Sequence, residues 1–174
     1  MSGNTVIAHF ATTQIHFQQV EKKKDADTWI TKVLETLQAN VVYLDAPLSL
    51  PAAYFGTGES YHYREADKVT KAMSPMFLGG LTARAMSLKA SLSTLIFHEI
   101  YPAFFQSELV QSTHYKEDIT LFLQDLAKIE AFTLEKQPTN WHQVDALIAL
   151  LIGTRHQEQR HQEIGNPTEG IIII

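Results

Sequence analysis

The chain has no cysteine. Disulfide frameworks, thiol nucleophiles and cysteine-bearing zinc sites are therefore excluded together. Long apolar runs are also missing. The longest, residues 146–152, is far short of the ~20 residues that cross a bilayer, and the isoleucines at 171–174 add little. No membrane partner is expected. Nothing near Met1 has the basic and apolar regions of a secretory signal, so a cytoplasmic location is the expectation. Basic charge is scarce: 14 Lys and Arg stand against 19 Asp and Glu, for a net charge of −5. That is not the footprint of a domain that tracks a nucleic-acid backbone over many phosphates, although a local basic site is compatible with it. Gly79-Gly80 is not followed by Lys and Ser or Thr, and no Gly-x-Ser-x-Gly occurs, which leaves P-loop and serine hydrolysis unsupported.

What is present is a globular composition. With 174 residues, 45% hydrophobic and 19% charged, the chain suits one domain over residues 1–174 rather than a disordered segment. Alternation at Val6, Ala8, Phe10 and again at Ile15, Phe17, Gln19 predicts a hairpin of strands at 5–10 and 14–20. Asp25 or Asp27 caps a helix through Trp29, Ile30, Val33, Leu34 and Leu37. The compact apolar run 41–44, between Asn40 and Pro47, reads as a buried parallel strand ending on Asp45. A loop at 51–60, a polar helix at 61–73, a break at Ser74-Pro75 and a helix capped by Thr82 through Ser91 follow, then a strand at 94–100. Residues 116–129 and 141–160 read as amphipathic helices, the second stopped by Gly165-Asn166-Pro167. The terminal isoleucines would template aggregation if exposed and must be paired inside a sheet. The fold class is α/β.

Two carboxylates stand out. Asp45 ends an apolar strand, where loops of an open α/β sheet form the ligand crevice; the alternative is an aspartate accepting backbone hydrogen bonds in an Asp-Ala-Pro turn. Asp145 interrupts the apolar stretch 144–152, and a buried carboxylate there needs a metal, a base or a cleft. Its alternative is a first-turn acid complementing the helix dipole. Glu99 faces away from His98 and Ile100 and is a third acid; Glu169, before Gly170, is a weaker one. Arg64 and Asp67, one turn apart, read equally as a surface ion pair worth under about 1 kcal/mol, and Lys116 as a solvated lysine. Of the eight histidines, none has the i, i+4 spacing of a zinc helix. Carboxylates without those alternatives suit magnesium or manganese positioning a phosphate and a water, which is phosphodiester hydrolysis.

The segments 41–51 (VVYLDAPLSLP), 63–67 (YREAD), 74–84 (SPMFLGGLTAR), 99–102 (EIYP), 145–147 (DAL) and Glu169-Gly170 resemble, in order, a family of bacterial and archaeal predicted nucleases with a ribonuclease H-like fold. Asp-Ala-Pro-Leu and Glu-x-Tyr-Pro are the most telling. The resemblance implies a mixed sheet, with an antiparallel three-strand start and two further parallel strands, flanked by helices. It makes Asp45 and Asp145 metal-binding acids and Glu99 a further catalytic acid. Arg64, Asp67, Lys116 and Glu169 would line the site against a nucleic acid or other phosphodiester. The family also carries a strand bearing Gly-x-Asp ahead of the equivalent of residues 5–10, where this chain has Met1-Ser2-Gly3. The expectation is a weak or inactive magnesium- or manganese-dependent nuclease, completed by an upstream gene start, another strand or a second copy in a homo-oligomer. The alternatives are a non-catalytic ribonuclease H-like binding or scaffolding domain, and an enzyme for small phosphoesters.

Overall fold

In the computed structural model residues 3–174 are described; the expectation about a leading strand concerns positions that lie outside them. Contacts divide the chain into two compact units, one from Met1–Gln38 and Pro102–Thr154, the other from Ala39–Tyr101 and Arg155–Ile174. Among the described residues no helix is long and apolar enough to cross a membrane.

The first unit opens with the predicted hairpin, β1 (Val6–Ala11) paired antiparallel with β2 (Gln14–Gln19). Ile15 is wholly buried, and its backbone bonds Thr133 O at 2.8 Å and Glu135 N at 3.0 Å, so this part of β2's edge is satisfied by chain rather than water. Helix α1 (Ala26–Thr36) is capped by Asp25, which accepts from the Asp27 amide and the Thr28 hydroxyl.

Tyr101 closes the second unit's first segment, and Pro102 reopens the first unit with further helices. Two helical segments are confined there: α5 (Pro102–Phe105), which runs into a wide π turn at Gln106–Val110, and α6 (Ile119–Leu126). Helix α6 is shorter than its apolar pattern predicts, because Lys116 takes a left-handed φ of 66° and Asp118, extended, caps the helix by accepting from Leu121 N. Asn140 caps α7 (Trp141–Gln157), whose buried Val144, Leu147, Ile148, Leu151 and Ile152 recur at helical spacing on one face.

The second unit is a mixed α/β layer. Its four strands, β3 (Val41–Leu44), β4 (Ile96–Ile100), β5 (Glu163–Asn166) and β6 (Gly170–Ile173), lie in the order β3-β4-β6-β5. β3, β4 and β6 are parallel, and β5 is an antiparallel edge. Helices α2 (Glu65–Thr70), α3 (Pro75–Leu78) and α4 (Gly80–Ser91) connect β3 to β4. The isoleucines are paired inside the sheet, with Ile172, Ile173 and Ile174 buried and Ile174 exchanging both backbone bonds with Gln162. The resemblance implied a sheet starting with three antiparallel strands; here the hairpin and the four-stranded sheet are separate sheets.

Three local differences have local causes. The polar helix expected over 61–73 is confined to α2, because Arg64 is an extended N-cap and Lys71 turns left-handed. Thr82 does not cap α4; its hydroxyl donates to Pro75 O at 2.7 Å, while Gly79 makes the bend between α3 and α4 with φ 40°. Strand β5 replaces the expected stop, and it packs so closely on α2 that a Cβ on Gly165 would sit 2.7 Å from the Ala66 Cβ.

Candidate functional site

The parallel pair β3 and β4 sets the register of the site. Leu44 lies opposite Glu99, so Asp45 emerges just beyond the carboxyl end of β3 with Glu99 one strand away. Between them the chain turns through buried Ala46, Pro47 and Leu48, and the Leu48 amide donates to Glu99 Oε2 at 2.8 Å.

Arg64 is the hub. It is wholly buried, with Asp67 and Glu99 almost so, which corrects the surface-pair reading of Arg64 and Asp67. Its Nε and Nη2 donate to Asp67 at 3.1 and 2.6 Å, Nη2 and Nη1 to Glu99 at 2.6 and 2.7 Å, and Nη1 also to the Ser49 hydroxyl at 2.8 Å. These bonds match the five N–H donors of a guanidinium, which is why a charge this deep is tolerated. Burial works against its charge, but the hydrogen bonds and charges of Glu99 and Asp67 outweigh that and raise its pKa further. Asp67 also accepts from the Arg64 amide at 2.8 Å, closing the first turn of α2.

Glu169 belongs to the same construction. Its carboxylate accepts from the Ala52 amide at 2.9 Å and from the Glu65 amide, at the start of α2, at 2.8 Å. Those two amides hold its pKa below the usual carboxylate range. Its carbonyl accepts from Ser49, whose hydroxyl in turn receives Arg64. Glu169 and Ser49 thus tie β6 to the loop after β3.

A cavity of about 210 Å³ lies here, lined by Asp45, Arg64, Asp67, Glu99 and Tyr101, with Met73, Leu78 and Leu81 as apolar wall. Three carboxylates against one guanidinium leave it formally two charges negative. Asp45 is the exposed acid of the set, contrary to the apolar surroundings its strand suggested. Burial and the charge of Asp45 push the Tyr101 phenol up. Among the described residues no group of three or more histidine or acidic side chains is arranged to hold a metal ion.

Asp145 and Lys116 lie in the other unit and answer each other. Lys116 Nζ bonds Asp145 Oδ2 at 2.5 Å, Tyr115 donates its phenol to Oδ1 at 2.7 Å, and the ammonium lies 4.8 and 5.5 Å from the Tyr115 and Trp141 ring centres. Asp145 is half-buried rather than buried as its apolar helix suggested, and Lys116 and Tyr115 are its partners.

Sequence reasoning missed Ser49, Tyr101 and a ring cluster on the other face of β4. His98 stacks on Tyr43 at 5.3 Å and meets His156 at 4.5 Å, and His156 meets His161 at 4.5 Å. The placement of His98 opposite Glu99 by strand alternation was the available signal. The five-residue step from His156 to His161 concealed the rest, because it straddles the end of α7. No protein-family model, curated protein or solved structure matches the chain.

Proposed function

We propose that the chain is a ribonuclease H-like domain that handles phosphodiesters at the carboxyl ends of β3 and β4, with weak metal-dependent hydrolysis resting on Asp45. The supporting observation is Asp45 itself: an exposed carboxylate one residue past a parallel strand, on a negatively charged cavity at the usual ligand end of such a sheet.

The donor set decides how a divalent ion fits. Magnesium takes one or two protein carboxylates and leaves other positions to water and substrate phosphate, and Asp45 suits that part. Glu99 and Asp67 do not, because the Arg64 guanidinium already fills the space between them. When bound, magnesium or manganese would neutralise phosphate charge and lower the pKa of a water. Asp45 would orient that assembly, while the Arg64 cluster keeps the strand ends and the loop after β3 rigid.

The test is hydrolysis of single-stranded DNA, single-stranded RNA and a small phosphodiester with millimolar magnesium or manganese. Slow turnover that falls at least about a hundredfold in Asp45→Asn is the expected result. Turnover untouched by that substitution would remove Asp45 from the chemistry. The occupied Glu99 and Asp67 favour a second reading, a binding or scaffolding domain without catalysis. It predicts no turnover and no metal-induced rise in melting temperature, whereas a functional site gains stability by mass action.

A further inference from the structure

The cavity beside Asp45 is small and unevenly lined. Its volume of about 210 Å³ is room for roughly seven waters, and an apolar cavity of about 150 Å³ already takes one benzene ring. It falls below the ~300 Å³ at which pockets for drug-sized ligands begin. A single ring with a short substituent fits; a whole nucleotide, with base, sugar and phosphate, does not. Exposure gives the cavity a direction. Asp45, Met73 and Leu81 are exposed and form its rim, buried Ile100, Ile172 and Arg64 make its floor, and Leu78 and Tyr101 are half-buried between them.

The polar groups of the lining differ in what they have left to offer. Asp67, Glu99 and Ser49 take all the N–H donors of Arg64, and Glu99 and Asp67 also accept from the Leu48 and Arg64 amides. The guanidinium is spent. A phosphate at the floor would meet Asp67 and Glu99 with no donor to receive it, and an ammonium would find both carboxylates engaged and aliphatic side chains opposite. Tyr101 is different. Its side chain lines the cavity, and its hydroxyl has no hydrogen-bond partner among the described residues. A phenol keeps its proton at neutral pH and can donate a hydrogen bond. This lining therefore selects an uncharged, ring-sized occupant that carries one acceptor. The same features disfavour a polymer, because a chain with 14 Lys and Arg against 19 Asp and Glu, and with Arg64 committed inside, offers little to successive phosphates.

We propose that this cavity is a subsite for one uncharged, ring-sized arm of a small phosphodiester, seated against Met73, Leu78 and Leu81 and hydrogen-bonded by the Tyr101 hydroxyl, with the phosphate left at the rim beside Asp45. The proposal names the substrate class of the phosphodiester reading above and rests on it for the phosphate, but not for the ring. Shape and one hydrogen bond hold the arm, and the cluster around Arg64 serves only as a rigid floor.

The test has two arms. In the first, benzamide, an uncharged ring with one acceptor, is titrated into isotope-labelled protein and followed by NMR, with a Kd on the order of 1 mM expected for so few atoms. Leu81→Trp, at a rim position that is 43% exposed, should fill the cavity and weaken binding at least about tenfold. Tyr101→Phe should weaken it about fivefold, the worth of one neutral hydrogen bond, and leave the melting temperature unchanged because the hydroxyl has no partner to lose. Tighter binding of benzoate or benzylamine than of benzamide would overturn the uncharged occupant. No shifts at about 20 mM benzamide, or shifts unmoved by both substitutions, would overturn the subsite. In the second arm, methyl p-nitrophenyl phosphate is hydrolysed with magnesium or manganese. Its KM should rise about fivefold or more in both variants with a smaller change in kcat, the split left by lost ground-state binding. Oligo-dT turned over more efficiently than this ester would give the cavity to a base of a strand and overturn the small substrate. The two readings fail separately. Benzamide binding that responds to both substitutions, without turnover of any phosphodiester, sinks the catalytic reading alone; turnover lost in Asp45→Asn but indifferent to Leu81→Trp and Tyr101→Phe sinks the subsite alone.

Discussion

Arg64 carries more of the second unit than its place in a polar stretch suggests. Removing its guanidinium leaves Asp67 and Glu99 buried and facing each other, and breaking a buried pair from one side costs about 3–5 kcal/mol. Arg64→Met should show that loss in urea denaturation, and Arg64→Lys should recover little of it, because a point-like ammonium cannot reach Asp67, Glu99 and Ser49 together. A loss under about 1 kcal/mol would mean the cluster is solvated. Glu169 makes a pH-dependent contribution. Its folded pKa is depressed by the Ala52 and Glu65 amides, so that contribution is whole above its unfolded pKa of about 4.3 and fades as pH falls through the lower folded value. Acid titration of the melting temperature should lose part of its slope below about pH 4.3 in Glu169→Gln. At this scale the sequence was partly legible. It picked out Asp45, Glu99, Arg64, Asp67 and Glu169, but three-residue spacing on a polar stretch says nothing about depth, and Glu99, the partner that explains Arg64, lies on β4.

Strand β4 works on both faces. Glu99 serves the Arg64 cluster, while His98 enters the ring cluster with Tyr43, His156 and His161, with Glu163 and Lys89 as the charges that face it. Burial, and then the positive charge of His156, lower the His98 pKa; burial, and then His161, lower that of His156. The unfolded chain binds these protons more readily than the folded one. The cluster therefore stabilises fully above about pH 6.5 and loses ground as pH falls through the depressed folded values. His98→Phe should flatten the fall in melting temperature between about pH 7 and pH 5; an unchanged slope would show that the cluster does not titrate in that window. Elements with a clear apolar pattern, periodic in the hairpin, α1 and α7 and continuous in β3, could be read from sequence. Strand β5 could not, because Glu163–Asn166 holds a glycine and no apolar alternation beyond Ile164, and it is a strand through its pairing with the isoleucines.

Each unit is assembled from two distant segments of chain. Periodicity carries no information about which remote segments meet, so this grouping was not readable in advance. The arrangement makes a specific demand on β4, whose partner on the side away from β3 comes from the second segment. A chain cut after Thr154 keeps β3 and β4 but lacks β5 and β6. Its Ile96–Ile100 amides should exchange with solvent far faster than in the whole protein, as measured by hydrogen exchange. Protection retained there would show that the parallel pair stands without β6.

During synthesis the same pairing imposes an order of events. β4 leaves the ribosome with one of its edges unmatched and stays so until Gly170–Ile173 has been made. The segment most prone to self-association is thus translated after the strand that accepts it, and its exposure on a nascent chain is brief. The longer hazard falls on β4, whose waiting edge invites a chaperone or a neighbouring polysome's chain until its own isoleucines arrive.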